Sequence, residues 1–261
     1  MAILEVTQRG AVAQLTMNAP ERLNALSDEM LAALQTTLDG FANDPQTRVI
    51  ILAGSGKAFC AGHDLRQMTA MRQAPDGGAA AFKDLFDRCA SVMALIQSMP
   101  QPVIAQVHGI ATAAGCQLVA TCDMAVAATG TRFGVNGVNI GLFCSTPMVA
   151  LSRNIPRKQA FEMLTTGTFI DAARAETLGL INRVVAPEEL QAETAQLAGL
   201  VASKLGPAVK IGKGAFYNQI AMSTADAYDY TGAVMVQNML REDTAEGIDA
   251  FLEKRDPNWD Q

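Results

Sequence analysis

The chain opens on an alternation of apolar and polar positions. Ala11, Ala13, Leu15 and Met17 fall on one face of a period-two segment, and with Glu5-Val6-Thr7 before Gly10 the pattern predicts a hairpin. The period then changes. Ser27 is placed to cap a helix whose first turn carries Asp28 and Glu29, and Leu31, Leu34, Leu38 and Phe41 share one helical face up to the stop at Asn43-Asp44-Pro45. The run 48–53 is continuously apolar after Arg48, as expected of a strand buried on both sides. A mobile segment is expected at 68–78, a helix over 80–98, a second buried strand over 102–108, a helix over 116–122 and a third strand over 123–127. From Thr146 onward the periodicity is helical, with segments near 146–153, 157–166, 171–178, 187–205, 207–221, 225–240 and 244–254. Pro147, Pro187 and Pro207 lie near helix starts. Strands alternating with helices, then helices alone, predict an α/β core followed by a helical C-terminal part.

Composition narrows the class. Over 261 residues, 49% are hydrophobic and 18% charged, which suits a sizeable core. The apolar runs are too short or too small-sided to span a bilayer, so no membrane insertion is expected. The N-terminus lacks a basic stretch followed by a long apolar one, and the reading is of a cytoplasmic protein. A net charge of −6 with no run of Lys or Arg argues against nucleic-acid binding. Five cysteines without CxxC spacing, and only His63 and His108, give no disulfide framework and no metal site. Gly54-Ser55-Gly56-Lys57 follows a strand, but a phosphate loop would need glycine at Ile51 and Ser or Thr at Ala58.

Five segments carry a more specific signal: ERLNAL (21–26), GKAFCAGHDL (56–65), PVIAQVHGIATAAGCQLVATCDMAVAA (102–128), FEMLTTGTFIDAARAETLGLINRVV (161–185) and REDTAEGIDAFLEKR (241–255). In this order and spacing they resemble the enoyl-CoA hydratase/isomerase family, the crotonase superfamily, over nearly the whole chain. The resemblance implies a spiral of ββα units (1–200) holding an acyl-CoA site, and a helical oligomerisation region (201–261) that assembles trimers or dimers of trimers.

It also implies a site. Coenzyme A enters as part of the substrate, with no tightly bound cofactor and no metal. The thioester carbonyl would be held by two backbone N–H groups, those of His63 and Ala114. Ala114 lies at a helix start, where amides lack internal partners. Arg22, Leu23 and Ala25 would lie against the coenzyme, Ala61, Asp64 and Leu65 near its adenine, and Lys57, Arg66 and a neighbouring subunit's Lys254 near its phosphates; for each basic residue an ordinary solvated face is the alternative. Hydratases of this family hold water between two glutamates, whose positions here fall on Gln117 and Gly137. A third acidic position, used by other branches, falls on Ser145. All three are neutral, so efficient conventional hydration is not expected, because each acid–base group contributes about 10²–10⁴ in rate. Gln117 could orient water, bond the substrate, or hold an external carboxylate in the space vacated at Gly137; a plain structural hydrogen bond is the alternative. The His63 imidazole as base and Cys144 as nucleophile stay open, beside a structural His63 ring and a packed thiol. Asp123, Glu162 and His108 read as supports of the fold. A non-catalytic acyl-CoA-binding or regulatory protein is the rival to an enzyme.

Overall fold

A computed structural model describes residues 2–259. The predicted hairpin is formed by β1 (Leu4–Arg9) and β2 (Val12–Met17), antiparallel, with Leu4 opposite Met17 and Arg9 opposite Val12. β2 then pairs in parallel with β3 (Val49–Gly54). β3 pairs with β4 (Val103–Val107), β4 with β6 (Met124–Ala128) and β6 with β9 (Arg183–Val185), all parallel. The resulting sheet has the order β1-β2-β3-β4-β6-β9. A smaller sheet joins β5 (Ile110–Thr112), β7 (Arg132–Gly134) and β8 (Ile170–Asp171) in the order β5-β7-β8.

The large sheet is covered on both faces, as the apolar run in β3 requires. Ile50 and Leu52 face a core shared with α1 (Asp28–Ala42), α3 (Ala79–Ser98) and α4 (Ala114–Thr121). Val49 and Ile51 face the opposite side, where Leu190, Leu197 and Ala198 of α8 (Leu190–Ala202) close a second cluster. Helix α1 begins where its cap was read: the Ser27 hydroxyl accepts from the Met30 amide at 3.2 Å.

Three local expectations are corrected. The segment expected to be mobile begins within a helix, α2 (Leu65–Met71), because the Asp64 carboxylate accepts from the Arg66 and Gln67 amides at 2.9 and 3.4 Å and nucleates the turn. The helix expected over 116–122 starts two residues earlier, at Ala114. The helix expected from 171 is preceded by β8, with Asp171 as the cap of α7 (Ala172–Leu178). The remaining helices are α5 (Pro147–Asn154), α6 (Arg157–Thr166), α9 (Gly206–Gln219), α10 (Thr224–Met239) and α11 (Glu242–Glu253).

The last two helices bury little. Among the described residues α10 has no buried side chain and α11 only Ala250, while Met235, Val236, Leu240, Phe251 and Leu252 are exposed. What fixes α9 to the core is a charge network. Lys213 is only 8% exposed, and its Nζ donates to Asp123 at 2.7 Å and to the carbonyls of Ile96 and Gln101 at 2.7 and 2.8 Å. The Tyr217 hydroxyl donates to the other Asp123 oxygen at 2.8 Å, and the Val103 amide donates to Asp123 at 2.6 Å.

Candidate functional site

The C-terminal ends of β3 and β4 lead into two loops that meet. After β3, residues 54–64 cross beneath β5: the Cys60 amide donates to Ile110 O at 3.2 Å and the Thr112 amide to Cys60 O at 3.0 Å. On its other side this loop is tied to residues 19–26. The Ala61 amide donates to Leu23 O at 3.0 Å and the Leu26 amide to Gly62 O at 2.7 Å. Asn24, which the sequence reading passed over, clamps the two loops. It is fully buried at a left-handed φ of 54°, its Nδ2 donates to Ser55 O and Ala58 O at 2.8 Å, and its Oδ1 accepts from the Ala19 amide at 2.9 Å. The signal was local: an asparagine in a polar turn tolerates the left-handed region.

His63 and Ala114 are brought together by glycines. A methyl group on Gly62 would lie 2.9 Å from the Ala113 Cβ and 3.2 Å from the Ala114 nitrogen, and one on Gly115 would lie 2.1 Å from the Cys60 carbonyl oxygen. The turn at 62–63 therefore packs against the first turn of α4 with no room for a side chain between them. Among the described residues neither the His63 amide nor the Ala114 amide donates to a protein acceptor. Two free N–H groups in adjoining loops, one at the positive end of a helix, can hold a carbonyl oxygen and favour negative charge on it.

The entrance to α4 is strained. Ala113 has φ 50° and ψ −120°, a conformation costly for a residue with a Cβ. Its amide donates to Gly134 O at 2.9 Å and its carbonyl accepts from the Gln117 amide at 3.0 Å, which hold it there. Ala113→Gly is expected to relieve the strain and raise stability by about 1 kcal/mol, a Tm increase of about 2–4 °C by differential scanning calorimetry.

Gln117 is buried, and its Oε1 has no hydrogen-bond partner. Gly137 does not leave a space. A methyl group there would be 2.2 Å from the Leu142 carbonyl oxygen and 2.8 Å from the Cys144 Sγ, so the expectation of a vacancy for an external anion is corrected: the loop 141–144 fills it. Ser145 is exposed, its hydroxyl donating to Phe143 O at 3.4 Å. Burial pushes the Cys144 thiol above its ordinary range, which holds it protonated at neutral pH and weakens it as a nucleophile. Cys60 and Cys116 are pushed up to about 12 by burial.

The His63 ring turns toward α3. It meets Phe86 edge-on with centroids 5.6 Å apart, its Nδ1 lies 3.4 Å from Leu26 O, and its Nε2 is buried without a partner. Burial, opposed by the Leu26 carbonyl, lowers its pKa below 6.5. The unfolded chain therefore binds this proton first, and stability falls as pH drops from above 6.5 through the lower folded value. His63→Gln is expected to lose less Tm between pH 7.5 and pH 5 than the wild type.

The other expected coenzyme residues divide. Arg22, Leu23, Lys57, Leu65 and Arg66 are exposed around the loops, while Ala25 and Asp64 are buried and Ala61 is half-buried. Arg22 Nη1 lies 3.6 Å from the Asp64 carboxylate, which joins the two loops electrostatically. Lys254 caps the C-terminal end of α11 at φ 59° and makes no ion pair with these loops within the chain. His108 Nε2 bonds to Gly56 O at 3.0 Å, in keeping with a supporting role.

A family model described as enoyl-CoA hydratase/isomerase matches residues 7–261. The chain belongs to that family. Family members act on CoA thioesters, one relative being a crotonyl-CoA hydratase of Syntrophomonas wolfei, 34% identical over 98% of this chain and 96% of its own. An enoyl-CoA hydratase from Mycobacterium smegmatis superposes with a TM-score of 0.95 at 51% identity, covering 99% of both chains. The human enoyl-CoA hydratase domain-containing protein 3 superposes at 0.94 with 43% identity over 98% of this chain and all of that one. The crotonase fold expected from the motifs is thus the fold observed. Its counterpart in Xenopus laevis is 45% identical over 97% of this chain and 84% of its own, and is named mitochondrial, as are those of Danio rerio, Mus musculus and Homo sapiens. This overturns the cytoplasmic expectation. The absence of a basic stretch followed by an apolar one bears only on a secretory signal, whereas a mitochondrial transit segment is amphipathic and Arg-rich.

Proposed function

We propose that this member of the enoyl-CoA hydratase/isomerase family binds an acyl-CoA thioester with its carbonyl oxygen between the His63 and Ala114 amides. The observation that carries the reading is the pair of amides without protein acceptors, held together across Gly62. Arg22, Leu23, Ala25, Ala61, Asp64 and Leu65 line the approach of the coenzyme, and Lys57 and Arg66 face its phosphates. Negative charge developing on the thioester oxygen is stabilised by both donors, each worth about 10²–10³ in rate.

The positions from which water would be activated, Gln117, Gly137 and Ser145, hold no acid or base. Conventional enoyl-CoA hydration is therefore slow, and the favoured chemistry is that of a substrate needing carbonyl polarisation but little proton transfer from the protein. The exposed apolar faces of α10 and α11 support self-association of the 201–261 region onto the 1–200 core of neighbouring copies, as a trimer or dimer of trimers. Lys254 then reaches a neighbour's coenzyme.

The second reading, a binding or regulatory protein without turnover, rests on the same neutral positions. A panel of enoyl-, β-keto-, malonyl- and aryl-CoA thioesters decides between them. Turnover that falls about 10²–10³-fold in Ala114→Pro, with circular dichroism unchanged, supports the catalytic reading. Tight binding without turnover supports the regulatory one, and absence of binding removes both. Gln117→Glu alone is expected to raise crotonyl-CoA hydration above the wild type. Gly137→Glu is not a clean partner for it, since its first side-chain carbon meets the Leu142 carbonyl.

A further inference from the structure

A concavity lies at the other end of the same strands. β3 and β4 deliver the thioester loops from their C-terminal ends; before their N-terminal ends, about 20 Å away along a six-residue strand, a cleft of about 690 Å³ opens between α1, α8 and α9. That volume is in the range of small-molecule sites. Its charged lining is Arg48, Lys204, Lys210 and Arg241 against the single carboxylate of Asp44. In a chain of net charge −6 this is a local reversal of sign, and no run of basic residues in the sequence foretells it, because the four come from separate segments.

Among the described residues three of the four cations have no carboxylate partner. Lys204 and Lys210 form no ion pair, and the Arg48 guanidinium donates only to the Ala202 carbonyl, at 2.9 Å, among the described residues. Arg241 pairs with Asp243 at 2.9 Å, yet its Nε is buried without an acceptor. Asp44 is already engaged by the Thr47 hydroxyl at 2.6 Å and the Gln46 amide at 2.9 Å.

A buried polar group in the wall is also incomplete. Gln101 is 4% exposed; its Nε2 is fixed by the carbonyls of Phe41, Asp44 and Thr47, which leaves its Oε1 as an acceptor with no donor. Helix α9 starts at the cleft with no side-chain cap, and Arg48 lies against its first residue, Gly206. Apolar side chains of Ala42, Pro45, Val201 and Ile211 share the wall with Asn43 and Thr47. Cations free of carboxylates, an unmet acceptor and apolar side chains in one lining match a phosphate joined to an organic group bearing an N–H donor.

We infer that this cleft binds a phosphorylated small molecule of nucleotide type, independently of the acyl-CoA site. Calorimetric titration of the full chain with ADP and with inorganic phosphate tests it. ADP is expected to bind saturably and about ten-fold or more tighter than phosphate. The double substitution Lys204→Glu and Lys210→Glu, at two exposed side chains, is expected to weaken ADP binding about ten-fold or more. Because ADP is also a fragment of coenzyme A, the titration is repeated with Lys57 and Arg66 replaced by Glu, which removes binding at the coenzyme loops; saturable ADP binding is expected to persist there. In the unmodified protein, ADP should protect Lys204 and Lys210 from acetylation by acetic anhydride, read by mass spectrometry. No saturable ADP binding, equal affinity for phosphate, or binding lost in the Lys57/Arg66 variant and kept in the Lys204/Lys210 variant would each overturn the inference; so would acetylation of the two lysines unaffected by ADP.

Discussion

Gly115→Ala is expected to cost about 3 kcal/mol or more and to abolish thioester binding. Alanine is the best helix former, and on propensity alone the change at the second residue of α4 should stabilise. The contact decides otherwise: the new methyl would lie 2.1 Å from the Cys60 carbonyl oxygen and 2.8 Å from its carbon. Both are backbone atoms of a loop pinned to Ile110 and Thr112, so neither can yield as a flexible side chain would. Relaxation must push α4 away from the 60–63 loop, which separates the Ala114 amide from the His63 amide. Chemical denaturation should show the loss in stability, and calorimetry with a CoA thioester the loss of binding. A Gly115→Ala protein of wild-type stability that binds thioester normally would refute the close approach.

Lys213→Ala is expected to destabilise by about 3–5 kcal/mol, the cost of leaving one member of a buried ion pair without its partner. Asp123 would keep the Tyr217 hydroxyl and the Val103 amide but lose its cation, and the carbonyls of Ile96 and Gln101 would lose their donor. Burial lowers the pKa of Lys213 while Asp123 opposes the shift, so the charge is held by that contact and not by water. Removing both charges together, Lys213→Met with Asp123→Asn, is expected to cost less than Lys213→Ala alone, because no unpaired ion remains. Urea denaturation of the three proteins measures the difference. Equal losses would show that the pair contributes packing and not charge.

The elements legible in advance were those whose signal is contained in a dozen residues. The period-two hairpin, the capped helix after Ser27 and the doubly buried β3 all stand where the pattern put them. Helix α2 is not legible because its seven residues make barely two turns, too few to display a period, and its start depends on one cap, Asp64, which also carries an expected binding role. The three-residue strands β5 and β7 were missed because so few residues cannot display a period. Of the site, the motif residues around His63 and Ala114 could be placed by resemblance, while the pattern of small residues set the start of α4 two residues late. What was not legible is contact across distance. Asn24 meets residues 31 and 34 positions away, and Lys213 meets Asp123 across 90. Gly137 read as an absence of side chain, when it is the condition for the Leu142 carbonyl to be where it is.

That last contact locks position 137 to the loop that follows it. The chain cannot acquire an acid at position 137 by one codon change, because the loop 141–144 already stands where the first side-chain carbon would go. Glycine and loop are one unit: a carboxylate there requires the loop to be rebuilt in the same step, and a loop rebuilt alone leaves a hole. Each half of the change is unfavourable without the other, so any route to an acidic residue there passes through proteins less stable than either end.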